Sequence, residues 1–314
     1  PTWRMISPGA AENAVACFLS CSTAKTTPTK RPPQQHQRRR RYAPAYEPTD
    51  TNMLPHNTTQ IPTTLALFRD PSISPEGPRT TEPLPDELRK RNEELVAKHA
   101  DELYHADAAT IMQWAQEFAP GRVVVTLSME NTVLAELAAR HAPDMDFLFL
   151  DTGFHFPETL DVAAQVERRY PQRLVTAKPV LSADEQAQEY GPNLYQSNPA
   201  ACCRMRKVEP LAVSLSPYVG WVTGLRRADG PTRTTTPALA LDSAGRLKIS
   251  PLVTWSLEDT ERFITDNNLI EHPLTHQGYP SIGCATCTLP VAAGEDPRAG
   301  RWAGHAKTEC GLHT

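Results

Sequence analysis

The sequence has 314 residues and a mass of 34.7 kDa, with 39% hydrophobic residues and a net charge of -4. This length suits one large domain or two modest ones, and no apolar run reaches the roughly 18 residues of a membrane-spanning helix. The negative net charge does not indicate nucleic-acid binding. Seven cysteines are too few for a disulfide-rich secreted scaffold.

Residues 1–85 differ in composition from the rest of the chain. They contain 14 of the 30 prolines, many Thr, Ser and Gln residues, and the basic run Arg38–Arg41. Such a segment cannot bury enough apolar surface to offset the entropy lost on ordering, so we predict a disordered tail over 1–85. We interpret the basic run as part of a solvated tail or an over-extended gene start, in preference to a transit peptide or an anion-binding segment.

Helix and strand patterns alternate from residue 86 onwards. Apolar periodicity predicts helices over Asp86–Asp107, Ala108–Phe118 and Thr132–His141, one beginning near Pro157, and one capped by Ser256 that runs toward Asn267. Apolar runs predict strands over Arg122–Leu127 and Phe147–Leu150, with further candidates at Leu174–Val180 and Gly220–Leu225. This alternation predicts an α/β fold with a mostly parallel sheet, whose ligands bind beyond the carboxyl ends of the strands. Ser128–Asn131 and Asp151–Gly153 fall at such ends.

Four cysteines form the strongest chemical signal. They are Cys202, Cys203, Cys284 and Cys287, an adjacent pair followed by a C-x-x-C pair. Four thiolates can hold zinc or an iron–sulfur cluster, and a dithiol or disulfide is a further alternative. An adjacent pair is less usual for structural zinc because neighbouring side chains diverge. The pattern therefore favours a metal site, with iron–sulfur slightly ahead of zinc.

Cys310 lies four residues from the end of the sequence and has no cysteine partner nearby. Cations precede it at Arg298, Arg301, His305 and Lys307. Because cations favour the nucleophilic thiolate, the position is compatible with a catalytic thiol; an idle thiol in a frayed terminus is the alternative.

Further cations follow the Cys202-Cys203 pair and the predicted strand Gly220–Leu225, and some of them would suit an anionic ligand. They are Arg204, Arg206, Lys207, Arg226, Arg227 and Arg233. The Thr-Gly-Leu-Arg-Arg segment at the carboxyl end of a strand would suit phosphate or sulfate, whereas ordinary surface charge explains several of the others. The glycine-rich and Ser-Gly-Gly-x-Asp loops that bind ATP are absent from the sequence, which argues against nucleotide hydrolysis.

Five motifs occur in order and resemble a known family. They are Leu150-Asp-Thr-Gly153, Cys202-Cys-Arg-Met-Arg-Lys207, Trp221-Val-Thr-Gly-Leu-Arg-Arg227, Gly283-Cys-Ala-Thr-Cys287 and Glu309-Cys-Gly-Leu-His313. Together they resemble the assimilatory sulfonucleotide reductases over roughly residues 105–314. These enzymes convert adenylyl sulfate, or its 3′-phosphorylated form, to sulfite.

The resemblance implies a doubly wound fold like that of the adenine nucleotide α-hydrolases. The reductase domain would span 86–314, and its C-terminal segment, from about 295 to 314, would fold over the active site. Cys310 would be the nucleophile, forming an S-sulfocysteine intermediate and releasing AMP. Thioredoxin or glutaredoxin would then release sulfite by thiol exchange.

The resemblance also implies site residues and a cofactor. Ser128, Asp151 and Thr152 match positions that bind the nucleotide. The positions that neutralise the phosphosulfate are matched by Lys207, Arg233, Arg298, Arg301 and His313. Members with all four motif cysteines hold a [4Fe–4S] cluster and generally prefer adenylyl sulfate, so we expect that cluster and that substrate. The loop Leu127–Asn131 is shorter than the family's usual nucleotide loop, which leaves its nucleotide contacts open.

Other interpretations stay open at this point. One is reduction of the 3′-phosphorylated nucleotide; another is a zinc-stapled nucleotide-binding redox sensor with Cys310 as its oxidisable thiol. A third is an ATP-dependent member of the same fold superfamily. The sequence lacks the ATP-binding loop of such proteins, which argues against this interpretation. A cluster and a free thiol need a reducing interior, so we expect a cytoplasmic protein that binds neither membrane nor nucleic acid. The sequence leaves a homo-oligomer open.

Overall fold

A computed structural model describes residues 84–305, 307 and 309–312 of the chain. The predicted tail over 1–85 therefore lies almost wholly outside the described residues. The helices are α1 (Asp86–Leu103), α2 (Ala108–Phe118), α3 (Val133–His141), α4 (Pro157–Arg169), α5 (Ala183–Tyr190), α6 (Leu194–Ser197), α7 (Pro199–Cys203), α8 (Glu209–Ser214) and α9 (Leu257–Asp266). The strands are β1 (Val123–Leu127), β2 (Asp146–Leu150), β3 (Leu174–Ala177), β4 (Gly220–Val222), β5 (Leu239–Leu241) and β6 (Leu247–Ile249). In the described part of the chain no helix has the length and apolar character needed to span a membrane.

The strands form a sheet in the order β3-β2-β1-β4-β6-β5. Every pairing is parallel except that of β5 with β6. The order of the strands reverses between β1 and β4, and a crevice opens beyond the carboxyl ends of the strands at such a reversal. The fold thus places the segments that follow β1, β2 and β4 around one crevice.

Both faces of the sheet are covered, which explains the continuous apolar runs of the central strands. Val123 and Val125 pack into the larger hydrophobic cluster with residues of α1 to α4, whereas Val124 faces a second cluster. Leu211 of α8 and Leu215 belong to this second cluster. Because successive side chains of a strand point to opposite faces, a strand buried on both sides has no polar alternation.

The ends of the predicted helices are set by side-chain caps. Helix α1 ends at Leu103, earlier than the predicted Asp107, because the Asp107 carboxylate accepts a hydrogen bond from the Thr110 N–H at 2.9 Å and so starts α2. The predicted cap of α9 is confirmed: the Ser256 hydroxyl accepts from the Asp259 N–H at 3.0 Å, and Asp259 accepts from the Ser256 N–H at 2.9 Å.

The hairpin of β5 and β6 was not predicted from the sequence. Each strand has three residues, too few for a periodic pattern to emerge. Their connecting turn is organised by Asp242, whose carboxylate accepts hydrogen bonds from the Ala244 and Arg246 N–H groups at 2.9 Å. Gly245 completes the turn with φ of +80°. The hairpin extends the sheet beyond β4, on the side away from β2 and β3.

Candidate active site

The four motif cysteines, distant in sequence, meet at one small pocket. Cys202 and Cys203 end helix α7, while Cys284 and Cys287 flank a short 3₁₀ turn, and all four line the pocket. Cys202, Cys203 and Cys284 are buried, Cys287 is half-buried, and each has a free thiol. As the described side chains are placed, no three His, Cys, Asp or Glu residues form a group that could hold a metal ion.

Crowding of these sulfurs shifts their acidity. Burial and the charges of Cys203, Cys284 and Cys287 raise the pKa of Cys202 to about 11. Burial also raises the pKa of Cys203 and Cys287, although the Lys207 ammonium opposes the rise at both. With their pKa values raised, these three thiols stay protonated at neutral pH unless a bound positive centre replaces their protons.

The turn that follows β2 forms one wall of the cysteine pocket. The side-chain oxygen of Thr152 lies 3.3 Å from the sulfur of Cys284 and accepts a hydrogen bond from the Phe154 N–H at 3.3 Å. The Phe154 carbonyl in turn accepts from the Ala285 N–H at 2.7 Å. The Asp151–Gly153 turn and the C-x-x-C segment are therefore joined by both side-chain and backbone contacts.

A π-helical turn, Arg204–Val208, carries two cations to the pocket. Arg206 is 3% exposed, and its guanidinium donates to the Gln186 side chain and the Ser182 carbonyl, both at 2.7 Å, and lies 4.9 Å from the centre of the Phe154 ring. The charges of Cys284 and Cys310 raise the pKa of Lys207, although desolvation opposes the rise. Lys207 therefore lines the cysteine pocket and is close enough to Cys310 for the two charges to interact.

The described C-terminal residues are fixed by an ion-pair network at Glu309. The Arg233 guanidinium donates to both oxygens of Glu309, at 3.0 and 2.8 Å, and also to Asp229 at 3.1 Å. Arg298 lies 3.4 Å from the same Glu309 carboxylate. Although burial opposes it, the hydrogen bonds and charges of Glu309 and Asp229 raise the pKa of Arg233. The network holds the residue next to Cys310 in place.

Arg301 and Glu130 meet at the segment that leads to Cys284. Arg301 donates to the Ser281 hydroxyl at 3.1 Å and to the Ile282 carbonyl at 3.2 Å. Glu130 accepts from the Ile282 N–H at 3.0 Å. Burial raises the pKa of Glu130, although the Ile282 N–H and the charge of Arg301 oppose the rise. The loop after β1 is thus tied to the segment that holds the second cysteine pair.

Two of the predicted nucleotide-binding side chains lie at the mouth of the crevice. Ser128 is exposed and its hydroxyl lies 3.4 Å from the Glu130 N–H, while the Asp151 carboxylate accepts from the Gly153 N–H at 3.1 Å. Between Ser128 and Glu130 the chain reverses at Met129, which has φ of +63° and a fully buried side chain. The buried Met129 anchors this short loop while Ser128 stays open to solvent.

Comparison with known proteins identifies the family of this chain. Residues 122–290 match the phosphoadenosine phosphosulfate reductase domain. The chain belongs to this reductase family. It is 45% identical over 221 residues to the adenosine 5′-phosphosulfate reductase of Mycolicibacterium smegmatis, a match that covers 70% of this chain and 94% of that protein. The enzyme of the same name from Mycobacterium tuberculosis is 42% identical over 259 residues, which cover 77% of this chain and 99% of that protein.

A solved structure supports the same fold. The crystal structure of phosphoadenylyl-sulfate reductase from Candida auris, a phosphate complex, matches with a TM-score of 0.55 and 26% identity. The match covers 63% of this chain and 97% of the other. The resemblance predicted from the five motifs is confirmed, and so is the α/β fold with its mostly parallel sheet.

The reductase fold collects the predicted site residues into neighbouring groups. The four cysteines share one pocket with Lys207, Thr152 contacts Cys284, and Arg233 and Arg298 share Glu309. His313 lies outside the described residues. Sequence reasoning missed Glu130 and gave Glu309 no role beyond its motif; the only available signal for Glu130 was its place after a buried strand.

A larger cavity of about 620 Å³ lies beside the C-terminal residues of this reductase-family chain. Its lining includes α8, the β4–β6 part of the sheet, and Arg233, Glu309 and Gly311. A cavity of this volume falls within the usual range for small-molecule sites. Cys310 is flanked by two residues of this lining.

Proposed function

We propose that this chain reduces adenylyl sulfate to sulfite and AMP as a step of sulfate assimilation. The relatives that are 42–46% identical over nearly their whole length are named adenosine 5′-phosphosulfate reductases, which supports this substrate and reaction. The observation that carries the chemical proposal is the position of Lys207, which lines the pocket of the four cysteines and has its pKa raised by the charge of Cys310 although burial opposes the rise. A cation at that position would stabilise the negative charge of a doubly anionic substrate.

Cys310 supplies the nucleophile in this proposal. Its thiolate attacks the sulfur of the sulfonate group and forms a new sulfur–sulfur bond. The bond between that sulfur and the bridging phosphate oxygen breaks, and its electron pair leaves with AMP. The product is an S-sulfocysteine at Cys310, and Lys207 and Arg301 neutralise the negative charge that develops on the departing phosphate.

A separate dithiol protein, thioredoxin or glutaredoxin, completes the turnover. One of its thiolates attacks the Cys310 sulfur, and sulfite leaves with the electron pair of the broken sulfur–sulfur bond. The second thiol of the reductant then resolves the mixed disulfide, which regenerates Cys310 and leaves the reductant oxidised. Both this exchange and a stable cluster require a reducing compartment, so we place the protein in the cytoplasm.

The four cysteines would hold a [4Fe–4S] cluster. Their pocket fits this group because four sulfurs line it and the mutual repulsion of their thiolates needs a positive centre. When bound, the cluster supplies a charged centre beside the anionic substrate and need not carry electrons, since thiols perform the two-electron step. Thr152 would orient one of these sulfurs through its contact with Cys284, and Lys207, which lines the same pocket, would act on the substrate.

Three further predicted residues have binding roles in this proposal. Ser128 and Asp151 would contact the nucleotide at the mouth of the crevice, and His313 would contact the phosphosulfate. We place the start of the reductase domain at residue 86, where α1 begins. Its C-terminal catalytic segment begins near residue 295.

The deciding experiment is intact-protein mass spectrometry after anaerobic incubation with adenylyl sulfate and no reductant. We expect one added sulfonate group, which is absent in Cys310→Ser and removed by thioredoxin. Addition only from the 3′-phosphorylated nucleotide, the substrate named for the Candida auris relative, would keep the mechanism and change the substrate. Absence of addition from either nucleotide, with stoichiometric zinc in place of iron and sulfide, would favour the redox-sensor alternative.

A further inference from the structure

The reaction proposed above gives Glu309 no role. It precedes Cys310, and its carboxylate receives two hydrogen bonds from Arg233 in a fork-to-fork arrangement. Such bidentate pairs are the strongest and most directional ion pairs in proteins. The side chains of Arg233 and Glu309 are 13% and 26% exposed, so solvent screens this pair less than a surface salt bridge.

Two arginines converge on this one carboxylate. Arg298 lies 3.4 Å from Glu309, and burial, together with the nearby charge of Arg233, lowers the pKa of Arg298, although the charges of Glu309 and Asp229 oppose this. Asp229 accepts from a different nitrogen of the Arg233 guanidinium, at 3.1 Å, and is shared with Arg226. Two like charges that repel each other need an anion between them, and Glu309 supplies it from the C-terminal segment.

A second attachment follows Cys310 immediately. Leu312 packs against the hydrophobic cluster beneath α8, which includes Leu211 and Trp221. Between the two attachments the chain turns at Gly311, which has φ of +84°. Cys310 is therefore held between an ionic anchor on one side and an apolar anchor on the other.

We propose that Glu309 is a positioning residue for Cys310, and that Arg233 holds residues 309–312 in the closed position through Glu309, while Arg298, from the same C-terminal segment, adds a second contact to that carboxylate. This inference rests on the proposed function in one respect. In the closed position the C-terminal segment brings Cys310, the proposed nucleophile, close enough to Lys207 for their charges to interact. In this inference Arg233 and Arg298 have a different role from the direct substrate contact that the family resemblance implies. Arg301 and Lys207, which have no contact with Glu309 among the described interactions, remain the phosphosulfate cations.

The two roles predict different kinetics. If Glu309 positions the thiol, Glu309→Gln should lower the maximal single-turnover rate of Cys310 sulfonation at least about tenfold, with the half-saturating concentration of adenylyl sulfate changed less than about twofold. Arg233→Gln should give the same result. The double variant should be no slower than the slower single variant, because both substitutions break one interaction. Glu261→Gln, an exposed carboxylate of α9 outside the C-terminal segment, serves as the control.

A measurement without substrate tests closure itself. Trypsin cleavage after Lys307, followed by intact mass in the full chain, should be at least about fivefold faster in Glu309→Gln than in the wild type or in Glu261→Gln, because local opening sets the cleavage rate. The cleavage rate tests closure even if adenylyl sulfate sulfonates none of the proteins. Absence of sulfonation would overturn only the proposed function.

Two results would overturn the inference. In the first, Arg233→Gln raises the half-saturating substrate concentration about tenfold or more while Glu309→Gln does not, which would make Arg233 a substrate ligand. In the second, Glu309→Gln leaves both the cleavage after Lys307 and the sulfonation rate at the wild-type values.

Discussion

The side-chain oxygen of Thr152 lies 3.3 Å from the sulfur of Cys284, and this contact joins the turn after β2 to the cysteine pocket. The two residues are 132 positions apart, and both are buried. A hydroxyl that donates to a ligating sulfur fixes the orientation of that sulfur and stabilises its negative charge. Thr152, predicted as a nucleotide-binding residue, thus also contacts the proposed cluster site.

Replacing this hydroxyl should weaken the cluster site. We expect Thr152→Val, which keeps the shape of the side chain, to lose iron to a chelator about tenfold faster than the wild type, a typical effect for an outer-shell hydrogen bond. Loss of visible absorbance measures the rate. Thr176→Val, an exposed position of β3, is the control. Equal rates in Thr152→Val and the wild type would show that the contact does not support the sulfur.

The charge of Lys207 should matter for reaction rate and not for cluster retention. We expect Lys207→Ala to slow Cys310 sulfonation about 100-fold, the usual cost of removing one electrostatic stabiliser of a transition state. Single-turnover mass spectrometry measures the rate. Lys98→Ala, on the exposed side of α1, is the control. A Lys207→Ala protein that keeps its cluster absorbance and reacts at the wild-type rate would remove Lys207 from the mechanism.

Sequence patterns were sufficient for the central strands and for the family, because these depend on local composition. Val123–Leu127 and Phe147–Leu150 are apolar runs buried on both faces of the sheet, and such runs can be recognised from the sequence alone. The hairpin of β5 and β6 was missed because three-residue strands depend on their pairing for stability: β6 pairs with β4, and β5 pairs with β6.

The carboxylates of the site were harder to predict, since their partners are distant in the chain. Glu130 contacts Ile282, 152 residues away, and Glu309 contacts Arg233, 76 residues away. The sequence around a single carboxylate in a loop has no local pattern from which its partner could be predicted. The family resemblance brought Arg233 to attention and the last motif contains Glu309, but only the fold shows that they form an ion pair.

Asp146 joins three elements at the amino end of the sheet and should contribute to acid stability. Its carboxylate accepts from Arg173 at 2.9 Å and from Tyr218 at 2.8 Å, and it also contacts Arg122. The Arg173 hydrogen bonds, with those of Tyr218 and Arg122, lower its pKa from 3.8 to about 2. Because the folded pKa lies below the unfolded one, this stability is present above pH 3.8 and is lost as pH falls toward 2.

Asp146→Asn should remove that contribution. We expect a loss of about 1 kcal/mol at neutral pH, since partial exposure screens the pairs, and a difference from the wild type that disappears near pH 2. Denaturant unfolding at several pH values measures it. Asp144→Asn, an exposed carboxyl two residues earlier, should show a smaller change. A loss in Asp146→Asn that stays constant down to pH 2 would contradict an ionic origin.

Asn92 tests whether α1 belongs to the reductase domain, since this helix precedes the residues 122–290 that match the family. Its buried side-chain amide donates to the carbonyls of Val219 and Gly245 at 3.0 and 2.9 Å, and so ties α1 to β4 and to the turn before β6. Asn92→Ala leaves both carbonyls without this donor, and we expect a loss of about 2 kcal/mol and a Tm lower by about 4–8 °C. The exposed neighbour Glu93→Ala should unfold like the wild type. If the two variants unfold at the same temperature, α1 contributes little to the domain, and the boundary proposed at residue 86 moves toward the sheet.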